Sequence, residues 1–161
     1  MIQKSSASLR PMNCEEIAEY RVVGLRNYVA DIARARNIST DAAMKIAQPQ
    51  FEHMFPDDRL QVDDRHLYTV DANGQRVGWV VFMTHTRFGA PRAMLVDIEI
   101  LEEMRGLGHG KQAMLAMEEK VKELGLEYIS LEVFAHSTPA QELYEKLGYH
   151  ITHVGMERKV N

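Results

Sequence analysis

The 161-residue chain is 45% hydrophobic and 26% charged, a balance typical of one soluble globular domain that would cover residues 1–161. Its formal net charge of −4 argues against nucleic acid as the main partner, because neutralising phosphates needs a basic face. No uninterrupted apolar run approaches the roughly 20 residues that span a bilayer, so no membrane partner is expected. Cys14 is the only cysteine, which excludes a disulfide framework and favours a reducing cytoplasm.

The first third of the chain is predicted to form a strand followed by two helices. Residues 7–12 suit a short strand, and Asn13 with Glu16 three positions later gives the capping-box signal that begins a helix. Apolar residues recur on one helical face until about Arg36, which predicts a long amphipathic helix. A second helical stretch follows, and Pro49 should kink or split it because proline removes a backbone donor.

The middle of the chain is predicted to form antiparallel strands. A solvated acidic loop over residues 56–64 leads into a strand at 66–70. Asn73-Gly74 is a strong two-residue hairpin signal, and the strand-like residues 77–83 return from it. A second turn then leads into an apolar strand at 94–100.

The last third of the chain alternates helices with strands. A helix covers residues 112–118 and beyond, and Gly125 is well placed to end it. A strand at 128–134, a short helix at 139–147 and at least one final strand at 149–157 complete the chain. Strands followed by helices in this half, after helices and a hairpin in the first, indicate an α/β sandwich around a mixed sheet.

A glycine-rich turn at residues 105–111 separates the strand at 94–100 from the following helix. Glycines at the start of a helix let a ligand approach the backbone, and the free N–H groups there favour an anion. A P-loop is excluded, since Arg105 stands where its first glycine is needed and Gln112 follows Lys111 in place of Ser or Thr. A dinucleotide fingerprint fails too, because Lys111 occupies its third glycine position.

The turn does fit the pattern Gln/Arg-x-x-Gly-x-Gly/Ala, which Arg105, Gly108 and Gly110 meet. It is preceded by Asp-Ile-Glu-Ile at 97–100 and followed by AQELYEKLGY at 140–149. With these neighbours, the sequence resembles the GCN5-related N-acetyltransferase (GNAT) superfamily and looks most like small bacterial acetyltransferases of unassigned acceptor. The resemblance implies the α/β GNAT acyl-CoA N-acyltransferase fold, in which a mixed central sheet is splayed between its fourth and fifth strands and carries helices on both faces.

The resemblance also implies acetyl-CoA as cosubstrate, held by a core at 94–149, while residues 7–60 would supply the first strand and the acceptor-side helices. The pyrophosphate would lie on backbone N–H groups at the start of the helix after the glycine turn. The pantetheine arm would insert beside the fourth strand, where an N–H near Ile100 could polarise the thioester carbonyl. Ser137 stands where many relatives carry an Asn that hydrogen-bonds the pantetheine region. Serine has a shorter side chain, so a bridging water could complete this contact here. The implied cofactor-binding residues are Ile98, Glu99, Ile100, Arg105, Gly106, Leu107, Gly108, His109, Gly110, Lys111, Ser137 and Tyr144.

Catalytic roles are implied by the same resemblance. Tyr144 matches the tyrosine that often protonates the departing CoA thiolate, since a phenol with an ordinary pKa of about 10 is protonated at neutral pH. A base must take a proton from the attacking amine, and Glu99 is the first choice, Glu132 in the predicted strand the second and Asp97 the third. A packed helix aromatic is the alternative for Tyr144, and a solvent-facing or hydrogen-bonded strand residue is the alternative for each carboxylate.

The sequence therefore predicts an acetyl-CoA-dependent N-acetyltransferase that acts on a primary amine of a small molecule or peptide by direct attack in a ternary complex. The alternative is a non-catalytic acyl-CoA-binding regulatory module. His109 is expected to face solvent at the start of its helix, and no metal is expected, because the histidines form no HExxH motif or close pair on a helix. An exposed edge strand makes a homodimer plausible.

Overall fold

The computed structural model describes residues 7–56 and 64–160. A short 3-10 turn, Glu102–Met104, lies between the fourth strand and the third helix. The predicted acidic loop falls mainly on residues 57–63, which lie outside the described part of the chain. Within that part, the elements in chain order are β1 (Ala7–Pro11), α1 (Cys14–Arg36), α2 (Thr40–Met54), β2 (Arg65–Ala72), β3 (Gln75–Arg87), β4 (Ala90–Ile100), α3 (His109–Glu123), β5 (Tyr128–Leu131) and α4 (Thr138–Lys146).

The strands form one mixed sheet in the order β1-β2-β3-β4-β5. The neighbours from β1 to β4 pair antiparallel, whereas β4 and β5 pair parallel. Two-residue turns join β2 to β3 and β3 to β4, and their residues, Asn73-Gly74 and Phe88-Gly89, all have positive φ angles. Such turns match the right-handed twist of the strands they join, so the predicted hairpin turn is confirmed and a second one follows it.

Helices cover both faces of the sheet. On one face α1 and α2 bury an aromatic cluster with the sheet, formed by Tyr20, Phe51, Phe55 and Trp79, whose contacting rings have centroids 5.0 to 6.0 Å apart. On the other face α3 and α4 pack on the central strands to form the largest apolar core. This arrangement confirms the predicted α/β class. Among the described helices, none combines the length and the apolar character needed to cross a membrane.

Local signals predict the start of α1 correctly but fail within α2. Asn13 and Glu16 each accept a hydrogen bond of 2.9 Å from the other's backbone N–H, so the capping box is present. Of the predicted kink or split at Pro49, the split is wrong, because α2 continues through that residue. Pro49 is exposed, whereas Ala47 and Phe51 on either side are buried against α1, and this packing offsets the lost backbone hydrogen bond.

The predicted last strand at 149–157 is wrong. Residues 149–160 have no regular secondary structure, and β5 stops at Leu131 instead of reaching residue 134. A strand needs a neighbour for its backbone N–H and C=O groups. In the described part of the chain the sheet ends at β5, and no further strand lies beside it.

Candidate active site

A wedge-shaped opening forms where β4 and β5 separate. The two strands pair only from Arg92 opposite Tyr128 to Leu95 opposite Leu131. β4 then continues to Ile100 while β5 stops, so beyond Leu95 the β5-facing edge of β4 has free backbone groups. This confirms the predicted splay between the fourth and fifth strands, and it leaves an open strand edge to which an extended ligand can bind.

A β-bulge in β4 decides which side chains face this opening. Leu95 belongs to the core under α3, and strict alternation would turn Asp97 to the same face. The pairing between β3 and β4 shifts at this point, because Val96 is an extra residue. Ile98 therefore returns to the α3 face, and Asp97 is left facing Trp79 and helix α1.

Asp97 is a partly buried carboxylate beside the aromatic cluster. The Trp79 indole N–H donates a hydrogen bond of 2.9 Å to its Oδ2. Burial raises the pKa of Asp97 to about 6, and the nearby negative charges of Glu99 and Asp31 add to the rise. The hydrogen bond from Trp79 acts in the opposite direction and lowers the pKa. A carboxylate whose pKa lies near neutrality is suited to accept a proton.

Glu99, two residues further along the same strand, is held in an ion pair. Arg105 Nη2 donates to Glu99 Oε1 at 2.5 Å, and Arg105 Nε donates to the Ile100 carbonyl at 3.0 Å. The guanidinium is thereby fixed across the end of β4 rather than extended toward the glycine turn. The ion pair would have to loosen before Glu99 could take a proton.

The glycine turn leaves the start of α3 without any side-chain cap. Gly108 is the N-cap residue with φ of 82°, a left-handed conformation that favours glycine, and no acidic residue lies in the first turn. The N–H groups of residues 109–111 have no acceptor within the helix. A Cβ built at Gly106 or Gly108 would meet nothing within 4 Å, whereas one built at Gly110 would lie 3.4 Å from the Leu143 side chain and 3.9 Å from Ile100. The turn therefore presents unpaired backbone N–H groups next to the end of β4, an arrangement that suits an anion.

His109 is buried, with 7% of its surface exposed, so the prediction that it faces solvent is wrong. It begins a buried stripe on α3 that continues at four-residue spacing through Ala113, Met117 and Val121. Its Nδ1 has no hydrogen-bond partner among the described residues. The four-residue spacing was the signal in the sequence that could have predicted this burial.

Tyr144 lies on α4 with its ring in the core under α3, 5.9 Å from the ring of Tyr149. Burial raises the pKa of Tyr144 to about 12, and the negative charge of Asp97 contributes to the rise. The phenol is therefore protonated at neutral pH.

The loop after β5 carries the other predicted site residues. Glu132 is exposed and lies just beyond β5, so its predicted place in mid-strand is wrong. Ser137 caps α4 through its backbone only, and its hydroxyl makes no capping hydrogen bond. Gln141 fixes the loop by donating to the carbonyls of Phe134 at 3.0 Å and Ala135 at 3.2 Å. The Ser137 hydroxyl is thus left available to a ligand.

Helix α1 contributes residues that the sequence analysis missed. His136 Nε2 lies 3.1 Å from Asp31 Oδ1, and the Phe134 ring stacks on His136 with a centroid distance of 5.4 Å. One helical turn before Asp31, the Tyr28 hydroxyl donates a 2.6 Å hydrogen bond to Gln50 of α2. Polar residues at 28 and 31 on the inner face of an amphipathic helix were the available signal.

Comparisons with a family model and with related sequences all identify acetyltransferases. Residues 29–149 match the acetyltransferase (GNAT) family. The uncharacterized N-acetyltransferase YycN of Bacillus subtilis is 29% identical over 153 residues, which cover 94% of this chain and 97% of YycN. The uncharacterized N-acetyltransferase YdgE of the same species is 26% identical over 153 residues, which cover 95% and 98% of the two chains.

Solved structures show the same architecture. The crystal structure of YycN superposes with a TM-score of 0.88 at 28% identity, covering 97% of this chain and 99% of that one. The aminoglycoside N-acetyltransferase AAC(6')-Iy in complex with CoA shares the fold, with a TM-score of 0.62 at 21% identity over 99% and 98% of the chains. The family match includes the splayed strands, the glycine turn and Tyr144. The chain belongs to the acetyltransferase (GNAT) family and is an N-acetyltransferase.

Proposed function

We propose that the protein transfers the acetyl group of acetyl-CoA to a primary amine of a small molecule or peptide, by direct attack in a ternary complex. The observation that carries this proposal is the uncapped start of α3 beside the open edge of β4. One feature fits a pyrophosphate and the other fits an extended amide-containing arm. A core at 94–149 would hold the cofactor, and residues 7–60 would supply the acceptor side.

The residues present fit CoA by their chemistry. Backbone N–H groups of residues 106–111 would bind the pyrophosphate, with Lys111 exposed next to them to add positive charge. Backbone groups of residues 98–100 would bind the pantetheine, and the free hydroxyl of Ser137 would contact it. Arg105 would act indirectly, because its guanidinium holds the end of β4 through Glu99 and the Ile100 carbonyl. Acetyl-CoA would supply the acetyl group as a thioester, and no metal is part of the proposal.

Asp97 and Tyr144 divide the proton transfers in this proposal. Asp97, ionised above a pKa of about 6, takes the proton that a cationic acceptor must lose before its nitrogen can attack the acetyl carbon, and the second proton leaves the nitrogen to solvent as the amide forms. Tyr144, which is protonated at neutral pH, passes its proton to the sulfur as the carbon–sulfur bond breaks and regains one from solvent. Glu99 and Glu132 are the alternative bases, although the first is in an ion pair and the second is exposed.

The acceptor is expected to be cationic before it reacts. Asp97 feels the negative charges of both Asp31 and Glu99, and since Arg105 offsets the charge of Glu99, Asp31 and Asp97 supply the net negative charge of this side. Such a side attracts an ammonium group and disfavours an acidic acceptor. Reduced Cys14 and the use of acetyl-CoA favour the cytoplasm as the location of the activity.

Thiol release from acetyl-CoA over an amine panel tests the proposed function. Polyamines, amino acids, peptides and aminoglycosides belong in the panel. Aminoglycosides are included because one structural neighbour is named an aminoglycoside N-acetyltransferase. We expect acceptor-dependent release with at least one class, together with acetyl-CoA binding in calorimetry. Binding without release for every acceptor would instead support the non-catalytic acyl-CoA module.

Tyr144→Phe tests the proton donor. Phenylalanine keeps the buried ring and removes only the hydroxyl, so kcat should fall about 100-fold while the affinity for acetyl-CoA stays unchanged. The steady-state rate and the calorimetric Kd measure the two effects separately. Tyr149→Phe is the matched control, since it removes a neighbouring buried hydroxyl that has no assigned role. An unchanged kcat in Tyr144→Phe would leave Tyr144 with packing alone.

A further inference from the structure

The chain turns at residues 134–137, between β5 and α4, and this turn is attached to two different helices. The Ser137 N–H closes the turn by donating a 2.9 Å hydrogen bond to the Phe134 carbonyl. Gln141 of α4 donates to the carbonyls of Phe134 and Ala135, at 3.0 and 3.2 Å. The backbone of the turn is therefore held from the side of α4.

The side chains of the same turn are attached to α1. Phe134 packs against the apolar cluster between α1 and α2 that includes Ile32 and Ala47. The His136 ring stacks on Phe134 with an interplanar angle of 19°, and its Nε2 lies 3.1 Å from Asp31 Oδ1. Because an ionised carboxylate only accepts hydrogen bonds, Nε2 carries the hydrogen and is the donor. The His136 side chain is 17% exposed, so this bond is largely shielded from water.

The bond from His136 to Asp31 is the directional part of the attachment to α1. Apolar contacts such as that of Phe134 have no preferred direction, whereas a hydrogen bond fixes the distance and the angle between two groups. The two bonded residues are 105 positions apart in the sequence, so the bond joins segments that the backbone does not connect locally. The placement of residue 137, the next one along the turn, therefore depends on a carboxylate of α1.

We infer that Asp31 is a positioning residue for the cofactor: through His136 it holds the turn so that the Ser137 hydroxyl faces the pantetheine arm of acetyl-CoA. The inference rests on the proposed function, which places this arm beside Ser137. The hydroxyl makes no capping hydrogen bond to α4, so the cap of that helix does not direct it. A serine hydroxyl also reaches less far than an amide group, and a small displacement of the turn is enough to lose its contact. A side chain of the acceptor-side helix thereby sets the affinity for the cofactor.

The affinity for acetyl-CoA in variants of this contact tests the inference. Asp31→Ala and His136→Phe each remove the hydrogen bond, the second while keeping a ring to stack on Phe134, and we expect about 5-fold weaker binding in calorimetry. The double variant should bind no more weakly than either single variant, because both changes remove the same bond. Asp31→Asn should bind as the wild type does, since the amide oxygen still accepts from Nε2. Glu19→Ala is the matched control and should leave the affinity unchanged, because this α1 carboxylate accepts a 2.7 Å hydrogen bond from Arg76 of β3.

A double-mutant cycle with Ser137 distinguishes positioning from a purely structural role. Ser137→Ala should weaken binding about 3-fold in the wild-type background and by less than about 1.5-fold in Asp31→Ala, where the hydroxyl is already displaced. A full effect of Ser137→Ala in the Asp31→Ala background would overturn the inference, and so would wild-type affinity in Asp31→Ala. In both of these cases the wild-type protein binds acetyl-CoA and the proposed function stands. A wild-type protein that does not bind acetyl-CoA would overturn the proposed function and the inference together.

Discussion

Asp97→Asn is expected to lower kcat/KM by about 100-fold or more while making the protein more stable at pH 8. The side chain keeps its size and can still accept the hydrogen bond from the Trp79 indole, but it can no longer take a proton from the amine. Stability and activity move in opposite directions because the carboxylate is kept in a site that disfavours its charge.

The sign of the stability change follows from the pKa of Asp97. The folded state raises this pKa from 3.8 to about 6, so between these values the folded protein binds more protons at this group than the unfolded chain does. The group therefore costs stability progressively as the pH rises through this window, and the full cost is present above about pH 6. Asn carries no such cost. We therefore expect the free energy of unfolding of Asp97→Asn to exceed that of the wild type by about 1 to 3 kcal/mol at pH 8, and the difference to vanish near pH 4. Urea unfolding followed by the fluorescence of the single tryptophan measures it.

The pH profile of the reaction gives an independent readout. In the wild-type protein kcat/KM should fall as the pH drops below about 6, because protonated Asp97 cannot act as a base. Asp97→Asn should lack this limb when the same acceptor is used. Glu132→Gln is the matched control and should keep it, and Glu99→Gln should keep it at a lower pH, because the Glu99 charge helps to raise the pKa of Asp97. If Glu99→Gln or Glu132→Gln abolishes the limb instead, the base is that residue and the assignment to Asp97 is wrong.

Features set by a few neighbouring residues could be predicted from the sequence. The capping box at Asn13, the hairpin turn at Asn73-Gly74 and the glycine turn at 105–111 depend on local φ angles and hydrogen bonds. The splay between β4 and β5 came from the family resemblance, and the short parallel ladder confirms it.

Features set by a single inserted residue or by a distant partner could not be predicted from the sequence. The orientation of Asp97 depends on the bulge at Val96, which reverses the alternation of β4 and is invisible in a pattern of apolar residues. The ion pair between Glu99 and Arg105 depends on how the chain turns after the end of β4, which the sequence does not show. The predicted last strand failed because its residues have strand propensity but pair with no strand in the described part of the chain, and propensity alone does not form a strand.

Gly78→Ala is the second change with a large expected effect. Gly78 is buried in β3 opposite Ile100, and a Cβ there would overlap the Glu99 carbonyl oxygen and lie 3.0 Å from its carbonyl carbon. Both are backbone atoms, so the end of β4 must move away to make room. We expect a loss of about 2 to 4 kcal/mol in the free energy of unfolding, together with at least about 10-fold weaker binding of acetyl-CoA.

The two effects of Gly78→Ala can be separated with a variant of similar stability. Val70→Ala truncates a fully buried side chain on β2, which pairs with β3 on the side away from β4. It should lower the free energy of unfolding by a comparable amount. Because it leaves the backbone of residues 98–100 in place, its calorimetric Kd for acetyl-CoA should match the wild type. Equal Kd values in both variants would mean that the open edge of β4 does not bind the cofactor. Weaker binding in Gly78→Ala alone would assign that role to the backbone of β4, since no side chain in the opening has been changed.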